Sequence, residues 1–302
     1  MITDFDDLCL WTYVIVDDML IKLAPLLRRP GPCPDCSDSE LITMILVAEC
    51  KGWDIETQLL SEFSQHPNLF PILPCQSRFN RRRRNLGTLI NRIRQMLLSD
   101  IEGAEQKLCI IDSLPIPVMQ FHLVPSSSNN WSCYGADYGR VESTKQTIFG
   151  YKLHLLVTAS GVIIDFELAP ASETDLSVGN ELLTGHHNKQ VIGDKAYIST
   201  PIKEQLAQVN GIDLITVPRR NQKQQISRQT KRSINQIRQI VETVNGQLSQ
   251  QFQIKKNHAH TFWGLCTRLY AKLTAHTLSI YLNQLTKKEA CLQMKQLAFP
   301  GH

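Results

Sequence analysis

Apolar and polar positions follow a helical period over residues 1–104. Ser37 stands where a helix would begin, and Glu40 occupies the capping-box position before a long apolar run. Farther along, one helical stripe collects apolar side chains at Phe79, Leu86, Ile90, Ile93 and Leu97. The pattern predicts an all-α region over residues 1–104.

From Lys107 the pattern changes to an alternation of strands, turns and helices, typical of an α/β domain. Strands are predicted at Lys107–Ile111, at Tyr151–Thr158 and Val162–Leu168 as a hairpin, at 190–194 and at 212–218. Helices are predicted from Asp175, near Pro201–Val209 and from Ser227 to Lys287. The polar stretch Phe121–Ser143 shows no period, and we expect a loop that flanks a functional site. The second region therefore spans residues 105–302, with C-terminal helices.

Composition favours a globular protein of a reducing compartment. Hydrophobic residues make up 42% of the chain and charged residues 20%. The longest apolar run, 41–48, is too short to span a bilayer, and acids rather than basic residues stand near the N-terminus. Cys33 and Cys36 have the spacing of half a zinc site, but no second pair of ligands stands nearby, so reduced thiols are the better interpretation. We expect a cytoplasmic protein without a membrane partner.

Charge is distributed unevenly, although the net charge is only +4. The segment 219–256 contains one acid and many basic residues, among them Arg219, Arg220 and Arg238. A second group crowds the start of a predicted helix and comprises Arg78, Arg81, Arg82, Arg83 and Arg84. Such groups favour a polyanion, and we predict contacts with DNA; the alternative is a solvated helix face.

Two predicted strands end in an acid, at Asp112 and at Asp194. If both strands are central in one sheet, the two carboxylates converge and need a cation to stay ionised together. A third acid, Glu242, lies on a predicted helix one turn after Arg238. Oxygen ligands of this kind suit Mg²⁺ or Mn²⁺, and two such ions support in-line displacement at phosphorus.

Each of these acids has a structural alternative. Asp112 would be a turn acid before Pro115, Asp194 would cap the turn into the next helix, and Glu242 would pair with Arg238 on a helix surface. Asp165, Glu173, Asp175 and Glu204 are weaker candidates, because their places in the pattern are those of strand, helix-start or amphipathic-helix residues.

With this order of acids, the chain resembles the RNase H-like transposases that carry a DDE triad, most closely the insertion-sequence group designated 982. The segments that carry the resemblance are IIDSLPIPV, FGYKLHLLVTASGVI, VIGDKAYIS and RQIVETVNGQL. In related families the helix glutamate belongs to a Tyr, Arg, Glu, Lys signature. Arg238 and Glu242 fit it, whereas Asn235 and Ser249 stand at the tyrosine and lysine positions.

The resemblance implies an RNase H-like mixed five-stranded sheet flanked by helices, in which Asp112, Asp194 and Glu242 hold two Mg²⁺ (or Mn²⁺) ions. It implies an enzyme that hydrolyses phosphodiester bonds at the ends of its element and transfers the freed 3′-OH to target DNA. The partners would be double-stranded DNA, as terminal inverted repeats and target, and further copies of the chain in a homodimer or larger synaptic assembly. The protein would then be associated with the bacterial nucleoid. The alternatives are an RNase H-like nuclease without strand transfer and a non-catalytic DNA-binding protein derived from a transposase.

Three further residues have two interpretations. Lys152 and His154 share one face of a strand, and Lys195 follows the second aspartate; all three could contact the scissile phosphate or the flanking DNA. Equally, the lysines would face solvent and the histidine would be structural. Trp131, Tyr134 and Trp263 could stack on bases, although a core or interface role is the more common one.

Overall fold

The computed structural model describes residues 2–26, 32–127, 130–141, 145–217, 227–256, 258–286 and 291–299. Its contacts divide the chain into two compact units. The first comprises residues 1–101 together with 248–302, and the second comprises residues 102–247. The segment that follows Leu248 thus packs with the N-terminal helices, whereas the sequence had been divided at 104/105. The assignment of DNA binding to the N-terminal part and catalysis to the remainder stays a prediction.

The first unit is helical in its described residues. Its helices before the second unit are α1 (Phe5–Leu23), α2 (Asp38–Lys51), α3 (Glu56–Phe63), α4 (Gln76–Asn85) and α5 (Gly87–Asp100). The predicted capping box at Ser37 and Glu40 is present, with each side chain bonded to the other residue's backbone N–H. The predicted stripe from Phe79 to Leu97 is buried, although the chain breaks into two helices at Leu86.

The second unit contains six strands and two whole helices in its described residues, and most of a third helix. The strands are β1 (Leu108–Met119), β2 (Asp137–Val141), β3 (Gln146–Thr158), β4 (Ile163–Pro170), β5 (Gln190–Gly193) and β6 (Asp213–Thr216). The helices are α6 (Asp175–Thr184), α7 (Thr200–Asn210) and α8 (Arg228–Gln250), which belongs to this unit as far as Gln247. The first unit resumes with α9 (Phe262–Leu285) and α10 (Lys295–Ala298).

The strands form one mixed sheet in the order β2-β3-β1-β5-β6, and β4 also pairs with β3. The pairs of β3 with β1, β2 and β4 are antiparallel, and those of β5 with β1 and β6 are parallel. Strand β1 pairs along one edge of β3. Strands β2 and β4 therefore lie end to end along the opposite edge of β3. Helices flank this sheet, and the mixed α/β architecture agrees with the RNase H-like fold expected from the resemblance.

Two details of the sheet differ from the prediction. The described part of the chain has six strands rather than five, because β2 forms within the stretch predicted as a loop. In addition, β1 continues past Asp112 to Met119, through Pro115 and Pro117. Beyond Ile110 this strand pairs with β3 alone, and its other edge has no partner strand. Proline, which has no backbone N–H to donate, is tolerated in a strand with such an open edge.

The two faces of the sheet are covered by different helices. Cys109 and Ile111 of β1 pack in one apolar cluster with Leu182 of α6 and Leu206 of α7. Ile192 of β5 packs in another cluster, with Ile234 of α8. Since successive side chains of a strand point to opposite faces, even-numbered positions of β1 and β5 lie on the α8 face. In the described residues, no helix is both long and apolar enough to cross a membrane.

Candidate active site

Asp112 and Asp194 occupy matching positions on two neighbouring parallel chain segments, on the side of the sheet that α8 covers. The parallel register pairs Leu108 with Gln190 and Ile110 with Ile192, and two more residues along each chain lead to the two aspartates. Both aspartates line one pocket of about 190 Å³. The structure therefore brings together two of the three acids predicted from the sequence.

The Asp112 carboxylate is held by a residue that the sequence analysis did not select. Asn245 of α8 donates a hydrogen bond from Nδ2 to Asp112 Oδ2 over 2.9 Å. The Oδ1 atom of Asn245 is buried and has no hydrogen-bond partner among the described residues. Asn245 lies three residues after Glu242, hence on the same side of α8, which is the signal that could have identified it.

The environment of Asp112 disfavours the ionised form of its carboxyl. Burial, and to a smaller extent the nearby charge of Asp194, raise the pKa of its carboxyl, which lies at about 6. The Ser113 backbone hydrogen bond and the positive charge of Arg238 act in the opposite direction on this pKa. A cation bound between the two aspartates would remove this repulsion.

Asp194 also performs the capping role that was its structural alternative. It precedes a short 3₁₀ turn, Lys195–Tyr197, and its Oδ1 accepts a hydrogen bond from the Ala196 N–H over 2.7 Å. This bond fixes the orientation of a carboxylate that lines the pocket at the same time. Lys195 itself is exposed.

A further carboxylate and two cations line the same pocket. Lys152 of β3 donates to Asp175 Oδ1 over 2.9 Å and to the Glu173 backbone oxygen over 2.6 Å. Asp175 begins α6, as the sequence indicated, but its part in the pocket was missed. Arg140 lines the pocket from β2 and was missed because β2 was predicted as loop.

His154 lies beneath this surface rather than on it. It is fully buried, and Tyr197 Oη lies 3.4 Å from its Nδ1. Burial lowers the pKa of His154 to about 4, so the side chain is neutral at pH 7. A neutral, buried imidazole does not meet a DNA phosphate, which favours the structural alternative for this residue.

Glu242, the third predicted acid, is exposed on α8 and does not line the pocket. It shares its helix with Asn245 and Arg238, both of which act on Asp112. In the described ranges, no set of three or more His, Cys, Asp or Glu side chains is placed to hold a metal ion. The structure thus shows two acids together and the third on the helix that covers them.

These donors fit a divalent cation in part. Two carboxylates at one level and the buried, unpaired oxygen of Asn245 supply the oxygen atoms that Mg²⁺ and Mn²⁺ prefer. The role of Glu242 as a ligand stays a prediction.

The predicted arginine cluster on α4 divides into two groups. Arg83 is buried and bonded to Glu49 over 2.8 Å, while Arg82 pairs with Asp38 over 2.7 Å. These two stabilise the helical unit and do not present free guanidinium groups to DNA. Arg78, Arg81 and Arg84 are exposed, and their contacts with DNA remain predicted. Arg219 and Arg220 lie outside the described residues.

The three aromatic candidates also divide. Trp131 is buried, which agrees with the core alternative, whereas Tyr134 and Trp263 are exposed by 48% and 65%.

Comparison with known proteins gave one result. A family model described as a transposase DDE domain matches residues 102–261, just over half of the chain. This range contains β1 to β6 and all three predicted acids. No curated protein and no solved structure gives a significant match.

Proposed function

The chain belongs to the family of transposases with a DDE domain, and from this premise we propose that it is the transposase of an insertion sequence. It hydrolyses phosphodiester bonds at the ends of its element and then joins each freed 3′-OH to target DNA. The observation that supports this proposal best is the pair Asp112 and Asp194, level at neighbouring strands beneath the helix that carries Glu242. On the motifs quoted above, we place it in the group designated 982.

In this proposal Asp112, Asp194 and Glu242 are the ligands of two divalent ions, Mg²⁺ or Mn²⁺. When bound, these ions supply activation of the attacking oxygen and stabilisation of the leaving oxygen. Asn245 fixes the carboxylate of Asp112, and Arg238 favours its ionised form. The Ala196 N–H fixes Asp194.

The cations around the pocket bind the DNA. Lys152 is a point charge at the pocket wall, where it meets the scissile phosphate after exchanging its contact with Asp175. Arg140 stands beside the pocket on β2 and binds a neighbouring phosphate. Arg238 and Lys195 contact DNA farther from the reacting bond. Because two element ends must be brought together, we expect a homodimer or a larger synaptic assembly on DNA.

A strand-transfer assay with the full chain tests the proposal. The substrate is a duplex with a precut 3′-OH end, taken from inverted repeats that flank the gene, together with a supercoiled plasmid and Mg²⁺ or Mn²⁺. We expect joined products from the unaltered chain. D112N should bind the same duplex but give no product, because one ligand of the ions is lost.

The other outcomes exclude the proposal in different ways. Cleavage of uncut ends without joining of precut ends would identify a nuclease. DNA binding without cleavage or joining under either ion would identify a non-catalytic DNA-binding protein. Full activity of D112N would remove the site assignment. Calorimetric titration with Mn²⁺ adds a readout that is independent of activity, in which D112N and D194N should bind the ion more weakly.

A further inference from the structure

Tyr197 lies in the turn that follows Asp194 and is the buried residue of that turn. The two residues between them, Lys195 and Ala196, are exposed, whereas only 2% of Tyr197 is accessible to solvent. The Tyr197 N–H donates to the Asp194 backbone oxygen over 3.3 Å and closes the turn. The position of the Asp194 carboxylate therefore depends on where the Tyr197 ring is held. The proposed reaction assigns no part to this ring.

Two glycines shape the space that the Tyr197 ring occupies. At Gly193, directly before Asp194, an added Cβ would stand 3.1 Å from Cβ and Cδ2 of Tyr197. At Gly179 of α6 an added Cβ would stand 2.5 Å from Cε1 of the same ring. The ring also belongs to the apolar cluster that contains Ile111 of β1. It is therefore held between the sheet and α6, on the face of the sheet opposite α8.

The hydroxyl at the far end of the ring meets a buried histidine. Tyr197 Oη lies 3.4 Å from Nδ1 of His154, and the other ring nitrogen, Nε2, is buried without a hydrogen-bond partner among the described residues. Burial, and to a smaller extent the charges of Asp175, Asp112 and Asp194, raise the pKa of the hydroxyl, so that it keeps its proton and can donate. Within the described part of the chain, the imidazole of His154 therefore depends on Tyr197 for its hydrogen bond.

His154 connects this hydroxyl to the strand that carries the other aspartate. In the antiparallel register, His154 of β3 pairs with Ser113, the residue after Asp112. Tyr197 therefore joins the turn of Asp194 to the backbone beside Asp112. The two carboxylates line one pocket and repel each other, so a turn held only at its exposed residues would let Asp194 move away.

We propose that Tyr197, through its hydrogen bond to His154, is a positioning residue for Asp194. It holds this carboxylate at the distance from Asp112 that a divalent ion requires. Because Mg²⁺ demands near-ideal geometry at about 2.0–2.1 Å, a small displacement of one carboxylate weakens its binding. The inference rests on the proposed function, since it takes both aspartates as metal ligands. Asn245 fixes Asp112 from α8, and Tyr197 fixes Asp194 from the opposite face.

Calorimetric titration of the full chain with Mn²⁺ tests the inference without a measurement of activity. Y197F keeps the ring and removes the hydroxyl. We expect it to bind Mn²⁺ about three- to tenfold more weakly, a smaller effect than the loss of about 10- to 100-fold that follows removal of a direct partner of a metal ligand. H154L should have the same effect, and Y197F/H154L should bind no more weakly than either single variant, because all three lose one shared bond. H154N, whose amide can take the place of Nδ1, should recover most of the affinity.

Y151F is the matched control. Tyr151 of β3 is also buried, and its hydroxyl donates to the Tyr134 backbone oxygen over 2.9 Å, but it lies outside the lining of the carboxylate pocket. We expect Y151F to leave the Mn²⁺ affinity unchanged. A role of the Tyr197 hydroxyl in packing alone would change the urea midpoint of Y197F and not its metal affinity. In single-turnover cleavage, Y197F should need more Mn²⁺ for its half-maximal rate and should approach the rate of the unaltered chain at saturating Mn²⁺.

The outcomes separate this inference from the proposed function. It is overturned if D194N weakens Mn²⁺ binding while Y197F binds the ion like the unaltered chain, or if Y151F and Y197F lose affinity equally. Additive losses in Y197F and H154L would also overturn it, because they would show that the two side chains act separately. Failure of the unaltered chain to bind Mn²⁺, with or without an element-end duplex, would remove the inference together with the metal site on which it depends.

Discussion

The amide of Asn245 lies 2.9 Å from the carboxylate of Asp112, and this bond links α8 to the central strand of the sheet. It connects the helix that carries Glu242 with the pocket that contains Asp194. For the metal ligand that we propose Asp112 to be, a hydrogen bond of this kind fixes the orientation of the carboxylate before the substrate arrives.

We therefore predict that N245L reduces cleavage of element-end DNA by about 10- to 100-fold, the usual effect of losing a partner of a metal ligand. N245D should be worse, because it places a carboxylate against Asp112. Single-turnover cleavage of a labelled end measures both variants, and duplex affinity should not change. T243A alters an exposed residue of the same helix and serves as control. Equal cleavage by N245L and T243A would exclude the positioning role.

Much of the sheet could be predicted from the sequence, because apolar residues in the second unit follow the spacing of strands in some segments and of helices in others. The hairpin of β3 and β4, the short β5 and the start of α6 lie where the pattern placed them. The strand β2 could not be recognised, since Asp137–Val141 is polar and pairs with β3 only once the sheet exists. The continuation of β1 was hidden for a similar reason, because two prolines normally end a strand.

Site residues could be predicted where they directly follow an apolar strand. They could not be predicted where their position depends on how helices pack on the sheet. Asp112 and Asp194 were found because each follows an apolar run. The parts of Asp175 and Asn245 depend on which helix covers which face, and local pattern does not contain that information. The arginines of α4 look equivalent in sequence, yet the helix buries Arg83 against Glu49 and exposes Arg81.

This contrast leads to a prediction about stability. R83A should lower the free energy of unfolding by about 3–5 kcal/mol, because it leaves Glu49 and Glu56 buried with one cation fewer. R81A, at the exposed position two residues earlier, should change it by no more than about 0.5 kcal/mol. Urea titration of the full chain measures both. Comparable effects from the two alanines would show that the buried ion pairs do not distinguish these arginines.

A second prediction on stability concerns pH. Burial lowers the pKa of His276 on α9 to about 3, whereas its ordinary value is 6.5. Below pH 6.5 the unfolded chain therefore binds a proton that the folded chain refuses, so the contribution is complete above pH 6.5 and is lost as pH falls toward 3. Between pH 7 and pH 5 we expect a loss of about 2 kcal/mol from this residue.

Urea midpoints at the two pH values measure this loss. H276Q should flatten the dependence on pH, because its amide does not titrate. The pH assignment fails if H276Q retains the slope of the unaltered chain.

The close packing of Tyr197 beneath the pocket gives the last prediction. A Cβ atom added at Gly179 of α6 would stand 2.5 Å from Cε1 of the Tyr197 ring, which is buried, and 3.2 Å from Cδ1 of Ile111. G179A should therefore destabilise the chain by about 1–3 kcal/mol through overpacking. At Gly246 of α8 an added Cβ meets nothing within 4 Å, so G246A should instead stabilise by roughly 0.5–1 kcal/mol, as alanine does in a helix. Thermal and urea unfolding of both variants would contradict this packing argument if the two changes had the same sign.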